Sequence, residues 1–94
     1  MNATRTASGC PALTADAGLA GSAAAHSAQM RDEGGLSAKG LPRRAAAVAS
    51  GLSDPDAVVR IWLASPEDRA ALTHCSRTSA GVGVVDGWWT LLLA

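Results

Sequence analysis

The chain has 94 residues, with eight Lys/Arg balanced by eight Asp/Glu and hydrophobic residues at 48%, many of them alanine. That length fits a single domain, and one whose small buried fraction leaves a thin stability margin. With no net charge and only the small basic pair Arg43-Arg44, there is no field to hold a nucleic-acid backbone, and no apolar run is long enough to span a bilayer.

In chain order, Asn2 to Ala7 reads as the end of a helix, broken by Gly9-Cys10-Pro11. Thr14 fits an N-cap, with Asp16 in the first turn where a negative charge suits the helix dipole. The pattern predicts a helix from Ala15 to about Glu33, stopped at Gly34-Gly35. Leu19, Ala23, His26 and Met30 share one face of it and form the expected core side. Gly18 and Gly21 each cost roughly 1 kcal/mol relative to alanine in a helix, so a close-packed neighbour is expected there. Gly34 to Arg44 reads as an exposed connection. Ala45 to Ser50 has helical propensity but is short and bounded by Pro42 and Gly51.

Asp54-Pro55-Asp56 is a strong helix start, with a capping carboxylate and proline at the first helical position. Val58, Val59, Trp62 and Leu63 give that helix its buried face, and Asp56 can pair with Arg60 at i, i+4. Ser65-Pro66-Glu67-Asp68 opens a second helix in a form close to a capping box, running to about His74. Ala80 to Val85 reads as a strand, Asp86-Gly87 as a type I′ turn, and Trp88 to Leu93 as the returning strand. The last segment is apolar on both faces, so it belongs inside a sheet covered by helices. Gly81 and Gly83 project to one face and leave room for Trp88, Trp89 or a helix.

The two cysteines, Cys10 and Cys75, form no C-x-x-C, which excludes zinc-ribbon and thioredoxin motifs. They are either two buried thiols or one long-range disulfide. The second would restrict the unfolded chain by about 4 kcal/mol. Met1 to Thr6 runs into polar sequence without an apolar leader. The chain is therefore cytosolic, or secreted with its leader upstream of this sequence.

Several stretches together resemble the CAP superfamily (cysteine-rich secretory proteins, antigen 5 and pathogenesis-related 1; SCP-like domains), in its short bacterial, actinobacterial-type branch. Asn2 with Arg5 resembles the N-x-x-R end of that family's first helix. Pro11 to Asp16 with Leu19 resembles the opening of its second helix, and Ala25 to Met30 resembles the A-H-S-x-x-M core of that helix. Val58, Val59, Trp62, Ser65, Pro66 and Arg69 resemble V-V-x-x-W-x-x-S-P-x-H-R, and Gly81 to Val84 resembles the G-V-G-V strand. The resemblance implies an α+β fold, a three-layer α-β-α sandwich with a small antiparallel sheet ending in a β-hairpin. It covers residues 1–94 as one domain, shortened between the second helix and the first strand. It turns Ala45 to Ser50 into a strand, and it implies a disulfide between Cys10 and Cys75, since some bacterial members pair cysteines at those places.

The resemblance also implies a cleft of two histidines and two acids able to hold a divalent metal. Here the corresponding positions are Ala38, Ala46 and Asp68, and the remaining acid has no counterpart. Alanine methyls neither coordinate zinc nor relay protons, so no metal, cofactor or catalytic residue is expected. His26 on the core face fits a backbone hydrogen bond, and His74 fits a helix C-terminus. Trp62, Trp88 and Trp89, with His26, are the candidates for core or groove. A Ser-His-Asp set drawn from Ser27 or Ser65, His74 and Asp68 lacks a nucleophile elbow.

The expected function is thus that of a secreted or cell-envelope CAP-like module without enzymatic activity. Its partner is an apolar ligand or an envelope component, held in a cleft lined by alanine, valine and tryptophan. Two rivals stand beside it: a residual metal-dependent or hydrolytic protein using His26, His74 and Asp68, and a decaying paralogue with no independent role.

Overall fold

A computed structural model describes residues 1–42 and 44–94; Arg43, and with it the Arg43-Arg44 pair as a unit, lies outside the described residues. The elements are α1 (Asn2–Ala7), β1 (Thr14–Ala15), α2 (Ala17–Glu33), β2 (Ala46–Ser50), α3 (Pro55–Ala64), α4 (Pro66–Leu72), β3 (Ser79–Val85) and β4 (Trp88–Leu93). The sheet order is β1-β3-β4-β2. The pairs β3–β4 and β2–β4 are antiparallel, and β1 joins β3 in parallel at the edge.

The hairpin forms as its sequence dictates. Asp86 and Gly87 both take positive φ, at 50° and 80°, the requirement of a type I′ turn. Val85 and Trp88 close it. β4 is the doubly apolar strand and lies between β3 and β2. Its odd side chains, Trp89, Leu91 and Leu93, join Ala47 and Ala49 of β2, Val58 and Trp62 of α3, and Ala71 and Leu72 of α4 in one core. Burying each large aliphatic side chain there contributes about 1.5–3 kcal/mol.

α2 covers the opposite face, against β3 and β4. The glycines of β3 make that layer possible. A Cβ on Gly81 would overlap the backbone of Leu19 and Ala20, and one on Gly83 the backbone of Ala23 and Ala24. It is the helix, not a tryptophan ring, that occupies the space. Ser27 ties the layers together: its hydroxyl donates to the Gly83 carbonyl at 2.9 Å and lies 2.8 Å from Thr90 Oγ1, all three groups buried. These bonds satisfy polar groups that would otherwise cost about 1–3 kcal/mol each.

Four local expectations are corrected. α2 begins at Ala17, not Ala15. Asp16 is the cap, its carboxylate accepting from Leu19 N at 2.9 Å, while Thr14 and Ala15 are drawn into β1, where Thr14 N donates to Thr78 O and Asp16 N to Ala80 O. Gly18 and Gly21 pack against no neighbouring element; a Cβ at Gly21 would meet nothing within 4 Å. Asp56 and Arg60 form no ion pair; both residues are exposed, where a solvated pair gains little. Ser65 caps α4 by position, with no side-chain bond to the helix amides.

Cys10 and Cys75 form a disulfide across a separation of 65 residues, Cα to Cα 4.7 Å. Beside it lies Arg5, fully buried without a carboxylate partner. Its guanidinium donates to the main-chain oxygens of Pro11, Leu72, His74 and Arg77 at 3.1, 2.8, 3.1 and 2.7 Å. Asn2 fixes the same region by exchanging two bonds with the backbone of Leu13.

Candidate functional site

The connection from α2 to β2 crosses the sheet end near α4 and leaves a groove of about 980 Å³. Its walls include Ala38, Gly40, Leu41 and Pro42 of the connection, Ala46 of β2, and Pro66 and Ala70 of α4. Lys39, Arg44 and Glu67 supply its charged groups. Connections rich in glycine and proline are common walls for binding clefts, since a rigid scaffold holds a loop free to vary. Arg44 takes a positive φ of 60°, an uncommon conformation for a residue with a side chain.

Two of the three residues that the resemblance sets at metal positions meet here. Ala38 and Ala46 line the same groove. Asp68 belongs to the first turn of α4, beside Glu67, and is partly buried. Burial pushes its carboxyl above the ordinary range; the negative charge of Glu67 adds to this and a hydrogen bond with Ser65 opposes it. The residues at these positions do not fit a divalent metal: two are methyl groups and one is a single carboxylate.

The other candidates lie elsewhere. His26 donates from Nε2 to the Ser37 carbonyl at 2.6 Å and lines a smaller pocket of about 400 Å³ with Gln29, Met30, Glu33, Lys39 and Gly40. His74 sits in the loop after α4, exposed, its Nδ1 2.7 Å from Ser76 Oγ. Among the described residues no three His, Cys, Asp or Glu side chains come together as a metal-holding group, so His26, His74 and Asp68 are not one site. Ser27 is buried, with its hydroxyl committed to Gly83 and Thr90.

The tryptophans correct the expected lining. Trp62 is core and donates from Nε1 to the Val48 carbonyl at 3.1 Å; Trp89 is core and donates to Leu52 O at 2.8 Å. Trp88 is half-buried. None of the three lines the groove, and neither does a valine. The residues unforeseen from sequence are Leu41, Pro42, Arg44 and Ala70. The only signal for them was the Gly- and Pro-bearing connection itself.

A model of the cysteine-rich secretory protein family, CAP, matches residues 1–90. The fold is similar to that of an extracellular protein containing a SCP domain from Bacillus anthracis str. Ames, at 27% identity and a TM-score of 0.87. That match covers 98% of this chain and 36% of the other, so the chain spans about a third of that protein. It is also similar in fold to an outer surface protein of Borrelia burgdorferi, at 17% identity and a TM-score of 0.81, covering 98% of this chain and 84% of that one. No curated protein matches the chain. Among the described residues no helix is long and apolar enough to cross a membrane.

Proposed function

The chain belongs to the CAP family of cysteine-rich secretory proteins, and on that premise we propose that it is a secreted or envelope-exposed, non-catalytic binding module. The ligand has an apolar body and occupies the groove between the α2–β2 connection and α4. One observation carries this reading: Ala38 and Ala46 stand together in the wall of that groove, where the family resemblance leads one to expect a metal-binding histidine and acid. A cleft of this volume, walled by Ala, Leu and Pro with a few charges, matches the usual composition of a small-molecule site. Lys39, Arg44 and Glu67 would meet the polar end of the ligand. The disulfide favours an oxidising compartment, in keeping with the extracellular and outer-surface descriptions of the two similar structures.

The test is fluorescence titration with diphenylhexatriene, a hydrocarbon probe that brightens on leaving water. Saturable binding is expected, abolished by Ala46→Trp or Ala70→Trp, which fill the groove, and unaffected by His26→Ala. A probe that does not bind, or binds equally to both tryptophan variants, overturns the assignment.

A further inference from the structure

Arg5 and the disulfide hold the same two stretches of chain by independent means. On the first stretch, Cys10 N donates to the Arg5 carbonyl at 2.8 Å, and the carbonyl of Pro11, the next residue, accepts from Arg5 Nε at 3.1 Å. On the second, Arg77 N closes a turn on the His74 carbonyl at 3.1 Å, with Cys75 inside it. The same guanidinium holds both ends of that turn: Nη1 donates to His74 O at 3.1 Å and Nη2 to Arg77 O at 2.7 Å. Each cysteine is thus fixed through its own neighbours, and none of these bonds passes through sulfur. Arg5 is fully buried, and a buried guanidinium that gave up its acceptors would lose far more than the net worth of one hydrogen bond. Opening the disulfide therefore leaves both cysteines in place. Cys10 Sγ already lies 3.2 Å from the Thr73 carbonyl, an acceptor for the S–H that it regains on reduction. The two cysteines differ in access: Cys10 is buried, whereas Cys75 is exposed.

We propose that Cys10 and Cys75 are a reversible redox pair of the folded chain. Arg5 is the positioning residue that keeps the reduced thiols aligned, and Cys75 is the sulfur at which external thiols and disulfides react. In the reducing direction, the thiolate of a low-molecular-weight thiol attacks Cys75 Sγ. The Cys10–Cys75 bond breaks, Cys10 leaves as a thiolate and takes a proton, and a mixed disulfide stands on Cys75. A second external thiolate attacks the outer sulfur of that mixed disulfide and releases Cys75. The sum is two protein thiols and one small disulfide, two electrons having passed from the external thiols to the cysteines. Oxidation by a small disulfide such as oxidised glutathione runs back through the same intermediate. The Cys75 thiolate attacks it and expels one thiolate; Cys10, as a thiolate, then attacks Cys75 Sγ and expels the other. That last step joins groups already aligned. In an unfolded chain the same closure must span a separation of 65 residues, so the folded pair should close with an effective concentration roughly a thousandfold higher.

Equilibration of the whole chain with reduced and oxidised glutathione, read by mass spectrometry, tests the proposal. The reduced wild type should keep its native near-ultraviolet circular dichroism, and the effective concentration of its thiols should fall roughly a thousandfold in concentrated urea. In Cys10→Ser, the remaining Cys75 should take up glutathione at least about a hundredfold faster than Cys10 does in Cys75→Ser, with the difference erased in urea. A double-mutant cycle isolates Arg5. Arg5→Met should lower the urea midpoint more in the Cys10→Ser, Cys75→Ser chain than in the oxidised chain, where the disulfide still holds the two stretches. Asn2→Ala, which frees Leu13 and not a neighbour of either cysteine, should shift the midpoint equally in both. A reduced wild type that loses its native signal overturns the proposal. So does an Arg5→Met shift that is equal in the two backgrounds, or a folded Cys75→Ser chain whose Cys10 reacts as fast as Cys75.

Discussion

The guanidinium of Arg5 donates to the main-chain oxygen of Leu72 at 2.8 Å inside the protein. That bond joins the first helix to the end of α4, and three more carbonyls on the same side chain hold the loops around it. The charge is stabilised by peptide dipoles in place of a carboxylate. Arg5→Met keeps the volume and strands those carbonyls, each costing about 1–3 kcal/mol when buried and unpaired. The expected loss is about 3 kcal/mol or more, a fall in Tm above about 10 °C, read by thermal circular dichroism.

The Cys10–Cys75 disulfide links the same two regions. Closing so long a loop is worth about 4 kcal/mol in the chain-entropy model. Adding reductant, or making Cys10→Ser with Cys75→Ser, should lower Tm by at least about 15 °C. Non-reducing peptide mapping should recover the two cysteines as one linked pair.

The glycines separate into two kinds. Gly81→Ala and Gly83→Ala each force a methyl into the α2 backbone, and the helix must lift off the sheet, at a cost of at least about 1–3 kcal/mol. Gly21→Ala meets nothing and should raise stability by up to about 1 kcal/mol through helix propensity. Chemical denaturation of the three variants checks the ordering.

That contrast also marks how far the sequence was readable. The α3 start, the α2 stop at Gly34 and the Asp86-Gly87 hairpin are set by neighbours in the chain, and all three form as local chemistry predicts. β1 could not be read, because Thr14 and Ala15 become a strand only by pairing with Ser79 and Ala80, far along the chain. β2 is built largely of alanine, whose propensity favours helix, and only the family resemblance predicted it. The cysteine pairing rested on that resemblance too. Arg5 was visible within N-x-x-R, but a bond spanning 67 residues to Leu72 leaves no local trace. Ala38 and Ala46 were singled out only through the resemblance, whereas the groove they share depends on how the connection folds over α4.

Asp68 gives a pH signature. Burial raises its folded-state pKa above the ordinary value of 3.8, so the folded chain holds this proton to higher pH than the unfolded chain. Its contribution is fullest below the unfolded pKa and is lost as pH rises through the raised folded one. The side chain is partly exposed, so solvent screening keeps the effect small. Asp68→Asn should flatten the decline in Tm as pH rises through and above the ordinary carboxylate range, relative to wild type.

The central claim is that the family's metal position has become an apolar wall, and zinc calorimetry tests it most directly. Wild-type protein should give no saturable one-to-one heat. Installing Ala38→His and Ala46→Glu in the groove wall, with Asp68→His in the adjoining first turn of α4, should create zinc binding. One-to-one zinc binding by the wild type would contradict the account.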